Sequence, residues 1–305
     1  MVFPLHAATP TAPAAAVGLE VALAAVTVLA AIVYGRGLAR VRHHPQGRRH
    51  QRLRPWALVA GVVSVAVIAG GPLGELLEHR MWTHMLQHVV LIMVCAPLLA
   101  WSAPGPVVLA GLPRGARRPL VRLTHRLPLA ALLSAPVAWT LQVAAMWLWH
   151  LPAAYDLAVG NELAHLAEHA SFLLTAWLFW WYLLSPSRHR LRGLPAVFYL
   201  AASVPPGAAL GAVLTFPQHL LYPAQAHLAV AAGIDPLLDQ RIAGLVMWVP
   251  LDFAYLVLAV LLFGRWLRSL EDREALQAVP AVVELRQAGR QGAEMRPDLR
   301  EVRAR

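Results

Sequence analysis

Seven long apolar runs divide this chain, and they constrain its fold more than any other feature. A helix needs about 20 apolar residues to cross a hydrocarbon core about 30 Å thick, and each run is close to that length. Of the 305 residues, 58% are hydrophobic and 14% are charged, which is too apolar for a soluble domain of this size. The sequence therefore predicts an all-α membrane bundle. The predicted spans are 17–35, 56–74, 83–102, 129–149, 164–184, 194–216 and 242–264.

Arginine placement predicts the orientation of these spans. The chain has no Lys, and the Arg residues fall in three loops, 36–55, 103–128 and 185–193, and in the tail from 265, except for Arg80 and Arg241. Loops on the cytoplasmic side of membrane proteins are enriched in basic residues. We therefore expect a multi-pass membrane protein with its N-terminus outside and its C-terminus in the cytoplasm. The net charge of +10 then reflects topology and contact with the anionic lipid bilayer, and not a nucleic-acid partner.

Three regions follow from this topology. Residues 1–16 are predicted to form a short external segment, 17–264 a seven-helix transmembrane domain, and 265–305 a cytoplasmic tail rich in Arg and Glu. The absence of Lys excludes a lysine Schiff base to a carbonyl cofactor. A single Cys excludes an internal disulfide within this sequence.

Two His pairs lie near the predicted outer ends of separate spans. His84 and His88 are four residues apart in the third span, and His165 and His169 are four apart in the fifth. This spacing places both imidazoles of a pair on one helix face. Several His beneath a membrane surface are costly unless a metal or polar partners satisfy them. The pattern predicts a metal site, and polar contacts that join helices are the alternative.

The nature of the neighbouring side chains favours copper. Imidazole suits zinc, copper and iron, whereas thioether sulfur shifts the preference toward Cu(I). The predicted metal ligands are His84, His88, His150, His165, His169, Met81, Met85 and Met247. Glu168, Asp239 and Gln87 are predicted to orient the ligands as a second layer. Each Met taken alone could serve packing instead.

Cys95 continues the stripe of Met81, His84, Met85 and His88 toward the membrane interior. At a rise of 1.5 Å per residue it lies about 10 Å below His88, too deep to share an ion with it. We interpret Cys95 as a packing residue, with a second copper station as the alternative.

Three motifs carry a resemblance to a known family. They are HRMWTHMLQHVVLIMVCAPLL, WHLPAAYDLAV followed by HLAEHASFL, and DQRIAGLVMWVP. Together they resemble the multi-pass CtaG-type cytochrome c oxidase assembly factors of bacteria, over roughly residues 20–265. The resemblance implies an inner-membrane protein that helps to mature a haem-copper oxidase by handling copper for the catalytic subunit. A membrane subunit of that oxidase is then the expected partner.

Other functions stay open at this point. A haem-binding bundle would use His from facing helices as axial ligands. A metal transporter would use Asp252 and Cys95 as stations within the membrane. A chaperone that grips oxidase helices would use its His only as hydrogen-bond partners. An enzyme is not expected, because the sequence shows no nucleophile and base in a known order and no glutamate directly after the first His of either pair.

Overall fold

The computed structural model describes residues 29, 32–40, 48–69, 80–126, 134–187 and 189–294, and within these ranges it contains helices and turns but no strands. The all-α prediction is therefore confirmed for the described part of the chain. The predicted external segment 1–16 lies outside these residues. So do most of the first predicted span, residues 70–74 of the second, residues 129–133 of the fourth, and residues 295–305 of the tail.

The helices follow one another with short connections. Residues 32–40 are helical and precede the numbered helices. In chain order these are α1 (Arg48–Ala69), α2 (Met81–Ser102), α3 (Pro104–Gly111), α4 (Arg114–Arg126), α5 (Ala135–Trp149), α6 (Pro152–Gly160), α7 (Glu162–Leu184), α8 (Leu194–Ala201), α9 (Val204–Thr215), α10 (Pro223–Ala231) and α11 (Pro236–Glu294).

Within the described residues, three segments are long and apolar enough to cross a membrane. They are α2, the α8–α9 segment Leu194–Thr215, and Pro236–Asp272 of α11. Helices α1, α5 and α7 lie at the positions of three further predicted spans. Helix α11 does not end at residue 264, where the predicted seventh span ends, but continues through Pro280 to Glu294.

Helices α2 and α7 run parallel through the centre of the bundle. Near their N-terminal ends His84 and His88 of α2 lie beside Glu168 of α7. Further along, the indole N–H of Trp180 in α7 donates to the carbonyl oxygen of Ile92 in α2, with N and O 2.8 Å apart. Both helices therefore begin at the same end of the bundle. Residues in their first turns can meet for this reason.

A π-helical turn, Leu91–Cys95, interrupts α2 directly after the turn that carries His88. A π turn uses i to i+5 hydrogen bonds and adds a residue to the helical turn, so it rotates the helix faces on either side. The carbonyl oxygen of Ile92, within this turn, is the one that accepts from the indole N–H of Trp180. Cys95 is fully buried in this turn.

Glycines allow α9 and α11 to approach closely. A Cβ atom on Gly211 of α9 would overlap the indole ring of Trp248 in α11, and one on Gly244 would meet Leu214 and Thr215. Small residues at such crossings let membrane helices pack backbone against side chain without a gap. This contact fixes the position of α11, whose first turn reaches the N-terminus of α2 through Asp239.

We expect the substitution Gly211→Ala to destabilise the bundle, because the added methyl group overlaps the Trp248 ring. Overpacking of this kind costs about 1–3 kcal/mol. Thermal unfolding of the purified protein in detergent measures the effect. Gly160→Ala is the matched control, since a Cβ there meets no described atom within 4 Å. Equal melting temperatures for the two variants would contradict the packing assigned to Gly211.

Candidate metal centre

Four buried side chains from α2 and α7 form a group that could hold a metal ion. They are His84 and His88 of α2 and Glu168 and His169 of α7, and we call them the His/Glu centre. One ligand atom from each lies within 4.8 Å of all the others. All four side chains are buried, and Glu168 has no exposed surface.

The parallel packing of α2 and α7 explains why these residues meet. On α2 the spacing of four residues places His84 and His88 on one face, and their ring centroids are 4.4 Å apart. On α7, Glu168 and His169 lie about two turns from the helix start at Glu162. The two helices begin at the same end of the bundle, so both sets lie at one level.

The carboxylate of Glu168 lies between two imidazoles without a close hydrogen bond to either. Its two oxygens are 3.5 Å from Nε2 of His84 and 3.8 Å from Nε2 of His88. Among the described residues, both oxygens lack a hydrogen-bond partner, as do Nε2 of His84, both ring nitrogens of His88 and Nε2 of His169. Buried polar atoms without partners are costly, and a bound cation would satisfy the carboxylate and one nitrogen of each imidazole at once.

The dimensions of the His/Glu centre fit one ion. Imidazole nitrogens bind zinc at about 2.0–2.1 Å, so two nitrogens on one such ion are at most about 4.2 Å apart. The largest distance between ligand atoms of the centre, 4.8 Å, exceeds this limit by less than 1 Å. Small side-chain rotations can bring the atoms within the limit. Three imidazoles and one carboxylate suit copper, zinc or iron. The carboxylate would also offset part of the charge of the ion.

His165 extends the centre toward a cavity. Its ring centroid lies 4.3 Å from that of His169 and 5.2 Å from that of His84, and the residue is only partly buried. A cavity of about 70 Å³ borders His84 and His165 between α6, α7 and α10. Gln225 of α10 also lines this cavity. An ion could approach the centre here.

His150 and Met85, both predicted ligands, contact each other beside the centre. Nε2 of His150 is 3.3 Å from the sulfur of Met85, and the His150 ring centroid is 6.1 Å from that of His88. The other predicted Met ligands have different surroundings. Met81 borders a small cavity with Tyr222 and Asp239. Met247 packs in the hydrophobic core, to which Met81 and Met85 also belong.

Asp239 and Gln87 bond to backbone groups and not to the imidazoles. The carboxylate of Asp239 accepts from the backbone N–H of Met81 at 2.8 Å and from that of Trp82 at 3.4 Å. Asp239 thus caps the N-terminus of α2, where a negative charge is also favoured by the helix dipole. Gln87 donates to the carbonyl oxygen of Ile68 in α1. Glu168, predicted to orient the ligands, instead lies within the group of candidate ligands.

Aromatic residues from α6 and the α9–α10 connection complete the surroundings, and sequence reasoning gave them no role at the site. The ring of Tyr155 lies 5.7 Å from that of His84 and 4.3 Å from that of Tyr222. Burial raises the pKa of Tyr222 above its ordinary value, so its phenol stays protonated and donates to the carbonyl oxygen of His150 at 2.8 Å. Neither Tyr222 nor Gln225 belongs to a periodic pattern that could have marked it in the sequence.

A comparison with known protein families gives one result. The family model described as cytochrome c oxidase caa3 assembly factor (Caa3_CtaG) matches residues 32–269. This range includes every residue of the His/Glu centre. No curated protein and no solved structure matches the chain.

The carboxylate of Asp239 caps the first turn of α2, the helix that carries His84 and His88. We expect Asp239→Ala to loosen the first turn of α2 by about 1 kcal/mol and to weaken metal binding one turn further on, at His84. Metal content and thermal unfolding of the purified variant measure the two effects. Asp235→Ala is the matched control, because Asp235 caps the start of α11 by accepting from the N–H of Leu237 at 2.9 Å. Equal metal loss in both variants would contradict a specific role of Asp239.

Proposed function

The chain belongs to the cytochrome c oxidase caa3 assembly factor family, and on this premise we propose that it binds copper as cargo at the His/Glu centre. It then supports delivery of that copper to a membrane subunit of the oxidase. The protein acts as a metal-binding assembly factor within the bacterial inner membrane and not as an enzyme.

The observation that carries this proposal is the environment of Glu168. A carboxylate without exposed surface lies next to two imidazoles, and its oxygens form no hydrogen bond with the described residues. If these side chains only joined helices, the imidazole N–H groups would donate to the carboxylate at about 2.7–2.9 Å. The observed distances of 3.5 and 3.8 Å are longer and leave space between the carboxylate oxygens and the imidazole nitrogens. An ion in that space would bind to the carboxylate and to both imidazoles.

The choice of copper rests on the family and on the imidazole donors. Imidazole binds copper well in proteins, and copper is one of the metals of the oxidases that this family serves. The carboxylate makes the centre less selective for Cu(I) than the His and Met set predicted from the sequence. Copper and zinc must therefore be compared directly.

The position of the centre supports an outward-facing site. The His/Glu centre lies near the N-terminal ends of α2 and α7. The C-terminal end of α2 leads to Arg114, Arg117 and Arg118, and that of α7 to Arg190 and Arg192. By the positive-inside rule this Arg-rich end faces the cytoplasm. On the same basis we propose the seven-span arrangement with an external N-terminus.

This orientation predicts that a reporter that is active only in the periplasm is active when fused after Gly160. An inactive reporter at this position would contradict the orientation.

We expect the double substitution His84→Ala and His169→Ala to lower the amount of copper that copurifies with the protein, because each helix then loses one imidazole of the centre. Elemental analysis of the detergent-purified protein after loading with copper, or with zinc, measures the metal content per chain. His227→Ala is the control, since His227 is exposed on α10. Undiminished copper in the double variant would refute the site.

Glu168→Gln tests the same centre without a change of shape. Loss of the carboxylate should weaken copper binding by at least about tenfold. Loss of a group that supports a metal ligand has an effect of this size in other metal sites. Glu162→Gln, at the exposed start of α7, should bind normally. In cells that lack the native protein, oxidase activity restored by the wild type and by Glu162→Gln, but not by Glu168→Gln, would link binding to assembly. Full restoration of oxidase activity by Glu168→Gln would show that assembly does not require metal binding at the centre, and would overturn the delivery role.

A further inference from the structure

A second pair of donor atoms lies next to the His/Glu centre but is not part of it. The imidazole of His150, in the turn after α5, meets the thioether of Met85 in α2, with Nε2 and Sδ 3.3 Å apart. Met85 has no exposed surface, and His150 is 5% exposed. The two side chains are thus held together in a dry environment.

The other nitrogen of His150 determines where the imidazole proton lies. Nδ1 is 2.6 Å from the carbonyl oxygen of Met146. A carbonyl oxygen only accepts hydrogen bonds, so Nδ1 carries the proton. In the neutral ring Nε2 is then unprotonated, and its lone pair points toward the sulfur of Met85.

This arrangement brings two electron-pair donors together with no proton between them. A thioether sulfur has no hydrogen to donate. An imidazolium ring would supply a proton at Nε2, but it would bury a positive charge against a weak acceptor. A bound soft cation would instead accept an electron pair from both atoms, and these two bonds would offset the cost of burying its charge.

The geometry of the pair fits a single soft ion. With metal–nitrogen and metal–sulfur distances of about 2.0 and 2.3 Å, two donors on one ion at an angle of about 100–110° are about 3.3–3.5 Å apart. The observed separation of 3.3 Å lies in this range. In addition, imidazoles that bind metals usually donate their second N–H to a carbonyl or carboxylate, as His150 does.

We propose that Met85 and His150 form a soft nitrogen–sulfur site for Cu(I), separate from the His/Glu centre. This inference rests on the proposed function in so far as both sites handle copper. Thioether sulfur selects Cu(I), whereas the imidazoles and carboxylate of the His/Glu centre also accept divalent ions. His88 lies between the two sites, with its ring 6.1 Å from that of His150 and its Nε2 on the side of Glu168. The two sites are therefore neighbours within the bundle.

Silver(I) and zinc(II) distinguish the two sites in titrations of the full chain in detergent. Silver(I) is a soft monovalent probe for the Met85–His150 pair, and zinc(II) is a probe for the His/Glu centre. We expect Met85→Leu to weaken silver(I) binding by about tenfold or more and to leave zinc(II) binding unchanged. Glu168→Gln should have the opposite pattern. Met93→Leu, a partly buried Met on the same helix, should change neither affinity.

Unchanged silver(I) affinity in a folded Met85→Leu variant would overturn the proposal. X-ray absorption of the wild-type chain with one equivalent of Cu(I) needs no variant and gives a second test. A sulfur neighbour at about 2.3 Å is expected, and a shell of nitrogen and oxygen alone would overturn the soft site. That result would leave the His/Glu centre intact, whereas normal zinc(II) and copper binding in Glu168→Gln would refute the proposed function and not the soft site.

Discussion

A buried carboxylate surrounded by imidazoles is the constraint on which the rest of this structure depends. Glu168 has no exposed surface, and a buried carboxyl group in an apolar bundle is costly without partner groups. The parallel packing of α2 and α7 places His84 and His88 at the level of Glu168, with an imidazole nitrogen 3.5 and 3.8 Å from its oxygens. The bond from Trp180 to Ile92 holds the same two helices together deeper in the bundle.

Other helices and one connection fix the positions of the residues around the His/Glu centre. Asp239 joins the start of α11 to the start of α2 through two backbone N–H groups. Tyr222, in the connection between α9 and α10, donates a hydrogen bond to the backbone carbonyl oxygen of His150. Because α11 is in turn fixed against α9 by Gly211 and Gly244, the positions of the ligand side chains depend on packing across most of the bundle. A rigid frame of this kind reduces the cost of holding the candidate ligand side chains close together.

Two neighbouring groups of side chains offer different kinds of metal-binding atoms. The His/Glu centre offers imidazoles and a carboxylate, and the Met85–His150 pair offers nitrogen and sulfur. The two sets of donors differ in softness, and thioether sulfur favours Cu(I) more than carboxylate oxygen does. Under the function proposed above, binding must be strong enough to hold copper and weak enough to release it.

The sequence by itself determined the helical class, the family and the faces that carry His. Apolar runs of membrane length predict helices, and spacings of four residues predict that His84 and His88 share one face, whatever the rest of the fold does. Periodicity cannot give the rotation of one helix relative to another, and a π turn changes that rotation within α2. Only the tertiary structure could therefore place Glu168 inside the centre, direct Gln87 toward α1 and use Asp239 as a cap. It also paired Met85 with His150, because donors 65 residues apart meet only once the helices are packed.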